Sequence, residues 1–154
     1  MKDGQPFGML SWGAAVVEVE IEPITLTPIV RGVWLTIDGG KILSEAIASK
    51  AIKLSAIHAL QWASGSPLYY VNGKITPDAL ESYSIQLQNN PPPISVDFNW
   101  NENRDPKGIG ELPFTLIPGA FAQAVSQAIG SPIRSLPITS YTIEEALLKR
   151  EKQP

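Results

Sequence analysis

Fourteen prolines and twelve glycines punctuate this chain of 154 residues, with a run at Pro91-Pro92-Pro93. Each proline fixes φ, removes a backbone donor and disfavours helix in the residue before it. The chain is therefore cut into short elements joined by defined turns, which excludes a bundle of long helices. At this length one hydrophobic core can be buried without disulfides or metals, and we expect residues 1–154 to form a single domain.

Between the cuts, the apolar residues show two periods. From Val16 to Glu22, Val17, Val19 and Ile21 alternate with Glu18, Glu20 and Glu22, the mark of a strand with one wet face. Ile29 to Ile37 reads as a second β-rich run, ended by Asp38-Gly39-Gly40, and Ile94, Val96, Phe98 and Trp100 alternate as a third. Leu68-Tyr69-Tyr70-Val71 and Lys74-Ile75 flank Asn72-Gly73, a pair that tolerates the positive φ values of a type I′ hairpin.

Helical spacing covers Ser44 to Ala63, expected to be largely buried, with Ser44 as N-cap and Gly65 as stop. A short helix over Thr76 to Tyr83 and an extended piece from Ser84 to Leu87 follow. Another helix is expected to start at Pro118, carry Phe121, Ala124, Val125, Ala128 and Ile129 on one side, and close at Gly130. Thr142-Ile143-Glu144-Glu145 has the form of a capping box that opens a last helix, with Lys149 and Arg150 at its negative end. Interspersed strands, hairpins and helices give an α+β fold: a mostly antiparallel sheet with helices packed on one face, in two layers.

Composition narrows the function. With 12 Lys and Arg against 15 Asp and Glu, and no basic run, a nucleic-acid footprint is absent. Without cysteine there is no disulfide framework, thiolate chemistry or cysteine-held metal, and one histidine does not make a transition-metal site, so no metal ligands are assigned. No apolar run has the length of a membrane span, and the first residues carry no apolar leader, so a cytoplasmic protein is expected. His58 lies on an apolar helix and reads as a hydrogen-bonded packing residue with no catalytic role.

Chemistry points instead to Lys107-Gly108-Ile109-Gly110-Glu111-Leu112-Pro113. Glycines one residue apart allow positive φ and close approach to another object, which would set Glu111 at the tip of a turn. Pro113 and Pro118 should hold the loop extended until Pro118 opens the helix. The polar segment Asn101 to Pro106 leads into this turn and is expected to need a partner for order.

These features, in this order, make the chain resemble the C-terminal part of the molybdenum-cofactor-binding subunit of the xanthine dehydrogenase and aldehyde oxidase family of molybdenum hydroxylases. The resemblance rests on Gly13-Ala14-Ala15-Val16-Val17-Glu18-Val19-Glu20, on Asp38-Gly39-Gly40-Lys41, on the segment around Tyr83, on Lys107 to Pro113 and on Ile133-Arg134-Ser135-Leu136-Pro137-Ile138-Thr139. In that family the Glu of Gly-x-Gly-Glu is the active-site base during hydroxylation of an electron-poor carbon, which by motif is Glu111, with Lys107, Gly108, Ile109 and Gly110 against the cofactor. A carboxylate beside a low-dielectric cavity suits that task.

The chain also departs from the family. Lys50-Ala51 stands where the family has a Gly-Gln pair that contacts the cofactor, and Leu54, Ser55, His58 and Ala59 follow in place of further glycines. The chain matches only the last portion of the family's subunit. The resemblance therefore implies a component of a split molybdenum hydroxylase, inactive and without cofactor on its own, that takes molybdopterin only in complex with a partner chain. Its partners would be other subunits of such an enzyme, or a second copy, since surfaces that face other segments in the family would be left apolar and exposed. The alternative is a diverged, non-catalytic relative that serves in assembly or protein binding.

Overall fold

Along Trp12–Ile21 (β1) the side chains of Ala15, Val17, Val19 and Ile21 turn inward, while Trp12, Ala14, Val16, Glu18 and Glu20 stay exposed. This computed structural model describes residues 10–65, 69–76, 91–99 and 103–151. β1 starts before the alternating segment because Gly13-Ala14-Ala15, too small to show a pattern, extends it. It pairs antiparallel with β2 (Pro28–Asp38), from Trp12 opposite Asp38 to Ile21 opposite Pro28. The register shifts between Glu18 and Val19, so that Arg31 is the extra residue of a bulge on β2. The turn between the strands is fixed by the Glu22 carboxylate, which accepts hydrogen bonds from the amides of Ile24 and Thr25.

α1 (Glu45–Ser64) buries a single stripe of Ile52, Ala56, Ala59, Leu60 and Ala63. The expectation of a largely buried helix fails, since Ile47, Leu54 and Trp62 on the opposite side are 72%, 52% and 53% exposed. A helix in the outer layer of a two-layer fold is covered on one side only. Ser44 is extended at the N-cap position but its side chain makes no capping bond, and Gly65 keeps φ at −72°.

The hairpin forms as expected: β3 (Tyr69–Val71) and β4 (Lys74–Thr76) pair across Asn72 and Gly73, whose φ values are 51° and 77°. The helix expected beyond Thr76 to Tyr83, and the extended piece from Ser84 to Leu87, lie outside the described residues. β5 (Ile94–Phe98) pairs parallel with β2, from Val33 opposite Ile94 to Ile37 opposite Phe98, on the side of β2 away from β1. A parallel neighbour requires a long crossover, and α1 lies within it. The three-stranded sheet thus has one antiparallel and one parallel pairing, β3 and β4 form a separate antiparallel two-stranded sheet, and both α1 and the next helix pack on the same face of the three-stranded sheet.

That next helix corrects the sequence reading. α2 (Leu112–Ile129) begins six residues before Pro118, takes Pro113 into its first turn and holds Pro118 in its interior. Pro113 is tolerated there because amides of a first helical turn have no intrahelical acceptor. Pro118 forfeits one backbone bond, but Pro113, Ile117, Phe121 and Val125 form one fully covered stripe on the sheet, and this burial outweighs local preference. The packing is closest at Gly13, where Leu116 and Leu112 stand 2.9 and 3.0 Å from the place a Cβ would take. Gly130 ends α2 with φ of 64°, its amide bonded to the Ser126 carbonyl.

α3 (Ser140–Glu151) starts earlier than its expected capping box. The Thr139 hydroxyl accepts from the Thr142 amide at 3.3 Å, and the Thr142 hydroxyl accepts from the Thr139 amide at 3.4 Å. The reciprocal pair is therefore Thr139 with Thr142, three residues upstream of Thr142 with Glu145. At its far end Arg150 donates to the Ile129 carbonyl at 3.0 Å, closing the C-terminus of α2. The core joins Val33, Leu35 and Ile37 to Ile52, Leu60, Ile117, Phe121, Val125, Ile138 and Ile143.

Candidate functional site

The turn from Lys107 to Glu111 is built against the end of β2. Asp38, the last residue of that strand, accepts from the Gly40 amide at 3.0 Å, from Arg104 at 3.1 Å and from the Lys107 ammonium at 3.3 Å. The Gly40 bond above all, then the ammonium of Lys107 and the guanidinium of Arg104, hold the Asp38 carboxyl below its ordinary pKa against the opposing effect of desolvation. The Lys107 amide donates to the Gly39 carbonyl at 2.9 Å, and the Ile109 side chain seats on Gly39. Within the polar segment, Arg104 thus has a partner in the chain itself, the carboxylate of Asp38.

The three carbonyls inside the turn are all taken. Ser11 donates to the Gly108 carbonyl at 2.5 Å, Ser55 of α1 to the Gly110 carbonyl at 2.7 Å, and the Leu112 amide to the Ile109 carbonyl at 3.2 Å. The amides of Gly108, Ile109 and Gly110 have no acceptor among the described residues. With carbonyls drawn in and amides left over, the turn offers a row of donors to an acceptor from outside.

Neither Gly108 nor Gly110 adopts the left-handed backbone expected of them. A Cβ at either position would meet nothing within 4 Å. The fold itself has no need of these two glycines. Open space lies in front of the turn, and close approach to another object remains the use their small size permits.

Glu111 closes the turn as the N-cap residue of α2, with φ of −87° and ψ of −9°. Its side chain makes no capping bond, it is exposed, and among the described residues it joins no ion pair. A carboxylate so placed is free to accept a proton from a bound group. It does not line the cleft of about 400 Å³ between Gly130–Ser135 and α3.

The structure brings Lys107, Gly108, Ile109, Gly110 and Glu111 together, with the Lys107 side chain committed to Asp38. Ser11 was not singled out in the sequence, and Asp38 and Ser55 were noted there without the positioning role the structure gives them. Ser55 is a polar residue in an apolar part of α1, a signal that could have been read as a contact; Ser11 carries none. His58 is half-buried and makes no hydrogen bond among the described residues. Lys50 and Ala51 are both exposed on α1. No group of three His, Cys, Asp or Glu among the described residues can hold a metal ion, and no described helix is long and apolar enough to cross a membrane.

No family model matches the chain. It is 27% identical over 143 residues to a probable xanthine dehydrogenase subunit of Bacillus subtilis (strain 168), a match covering 90% of this chain and 19% of that protein. It is 23% identical over 135 residues to a membrane-bound aldehyde dehydrogenase (pyrroloquinoline-quinone) of Gluconacetobacter polyoxogenes, covering 88% of this chain and 17% of that protein. Its fold superimposes on a Cu,Mo-CO dehydrogenase with a TM-score of 0.79, over 94% of this chain and 19% of that one, at 17% identity. The chain thus spans less than a fifth of the length of these relatives. Over that span the resemblance to xanthine dehydrogenase and aldehyde oxidase type molybdenum hydroxylases holds in sequence and in fold.

Proposed function

We propose, from this kinship with molybdenum hydroxylases, that the chain is one component of a split oxidoreductase of that type. It would supply Glu111 as active-site base once a partner chain brings a molybdopterin cofactor. The observation that carries the reading is the turn itself: amides at Gly108, Ile109 and Gly110 without an acceptor among the described residues, open space before both glycines, and beside them a carboxylate in no ion pair with a described residue.

These amides fit the acceptor atoms of a pterin cofactor, and Gly108 and Gly110 let it approach. The cofactor, when bound, supplies the redox centre for oxidation of the substrate. Glu111 would serve there as the base, a carboxylate that can accept a proton from a bound group. Lys107 positions: its ammonium and amide tie the turn to Asp38 and Gly39.

A second reading, a non-catalytic relative acting in assembly or protein binding, is favoured by α1, where Lys50 and Ala51 replace the family's Gly-Gln pair and the adjoining surface is apolar. Reconstitution with a cofactor-carrying chain decides between them. Glu111→Gln keeps shape but cannot accept the proton, so turnover should fall at least about a hundredfold. An unchanged rate leaves the second reading.

A further inference from the structure

The stretch from Gly130 to Ser135 takes no part in the turn around Glu111, which lies at the other end of α2, 18 residues or about 27 Å away along the helix. It forms one wall of the cleft of about 400 Å³, and α3 forms the other. This wall is pinned on both sides. Ser126 of α2 accepts the Ser131 amide on its carbonyl at 3.2 Å and the Ile133 amide on its hydroxyl at 2.9 Å. The Ser131 hydroxyl donates to the Ala146 carbonyl at 2.9 Å, and beyond the wall the Ile138 amide donates to the Ala63 carbonyl at 2.7 Å.

Between these anchors the donors are unspent. The amides of Arg134 and Ser135, the Ser135 hydroxyl and the Arg134 guanidinium have no partner among the described residues, and both residues are exposed. A loop held in shape by its neighbours, with its middle donors free, is preorganised for an acceptor from outside. The facing wall adds charge. Lys149 and Arg150 line the cleft from α3, and Arg150 is braced at 3.0 Å by the Ile129 carbonyl, which leaves its charge uncompensated. The one carboxylate among the described lining residues, Glu145, is held by Lys149 at 2.8 Å. With Arg134, three cations stand against one anion, and Pro132, Ile133 and Ala146 supply apolar lining.

A carboxylate ligand would bring one charge and two oxygens to this place. A phosphate monoester brings nearly two charges and three strong acceptor oxygens, which matches the excess of cations and the group of amides, hydroxyl and guanidinium. We propose that the cleft binds a small organic phosphate, its phosphoryl group on Arg134 and Ser135 with Arg150 opposite, and its carbon part against Pro132 and Ala146. This goes beyond the enzymatic reading and does not depend on Glu111 or on a partner chain.

Amide NMR of the labelled full chain, titrated with phenyl phosphate at constant ionic strength, tests it. The Arg134 and Ser135 resonances should move and saturate, at lower concentration than with inorganic phosphate, which has no carbon part. Arg134→Gln should weaken phenyl phosphate binding at least about tenfold, because a charge-assisted contact is lost. Arg31→Gln, which removes an exposed arginine of the sheet, should leave binding unchanged. Should Arg134→Gln not give a folded spectrum, Ser135→Ala takes its place, with weaker binding again expected. Shifts that never saturate, shifts confined to the Gly108 to Gly110 amides, or an equal loss in Arg31→Gln would overturn the site. Equal affinity for both probes would overturn the organic ligand and leave a site for a bare anion.

Discussion

Asp38 and Lys107 stand 3.3 Å apart, and through that ion pair the end of β2 holds the loop that carries Glu111. Both side chains are largely covered, at 19% and 14% exposure, so the pair is less screened than an ordinary surface bridge. Gly40 and Arg104 complete the ring of donors around the same carboxylate.

The sign of its pH dependence follows from the lowered pKa of Asp38. A carboxyl stabilised in its charged form contributes fully above its unfolded value of 3.8 and loses that contribution as pH falls through the lower folded value. Resonances of Gly40, Arg104 and Lys107 should therefore hold steady above pH 3.8 and move together below it. In Asp38→Asn they should already be displaced at neutral pH, with amides of α2 and β2 unmoved. A variant whose loop resonances match the wild type would remove Asp38 from its positioning role.

Gly40 has φ of 66°, and a Cβ there would run into the Asp105 carbonyl. Gly40→Ala must strain the backbone or push the 105–107 segment away. A non-glycine residue in that region costs on the order of 1–3 kcal/mol. Urea unfolding should show a loss of this size, with the Lys107 amide losing protection first.

Phe121 is fully buried between α2 and the sheet. Phe121→Ala removes the largest side chain of the core and leaves a cavity the two layers cannot close. The loss should be about 3–5 kcal/mol, read from the urea midpoint. A loss below about 1 kcal/mol would mean that α2 does not pack on β1 as described.

What the sequence disclosed, and what it hid, divides along one line. Period-two alternation placed β1 and β5, a run rich in β-formers placed β2, Asn72-Gly73 placed the hairpin, and Gly130 placed the end of α2, because each is local chemistry written in adjacent residues. The start of α2 was misplaced because Pro118 is a local signal overruled by burial of Ile117 and Phe121, which no local rule weighs. The capping pair was shifted because Thr139-x-x-Thr142 lacks the acidic third residue that makes a box conspicuous. The turn from Lys107 to Glu111 was legible as a motif, but its anchors were not: Ser11 and Gly108 are 97 residues apart, and Ser55 and Gly110 are 55 apart.

Gly108 and Gly110 allow the use of the turn to be separated from its stability. Neither has positive φ and neither is crowded, so Ala at both should leave the isolated chain as stable as before or slightly more so, by about 0.4–1 kcal/mol each, through a less flexible unfolded state. Lower stability would show that the fold needs the glycines after all. In the reconstituted complex the same methyl groups stand in the space before the turn. If a cofactor lies there, its retention through gel filtration and the turnover should both fall in the double variant, while association of the two chains persists. A complex that keeps cofactor and rate with both methyl groups in place would show that nothing approaches this turn, and Glu111 would then have no substrate proton to take.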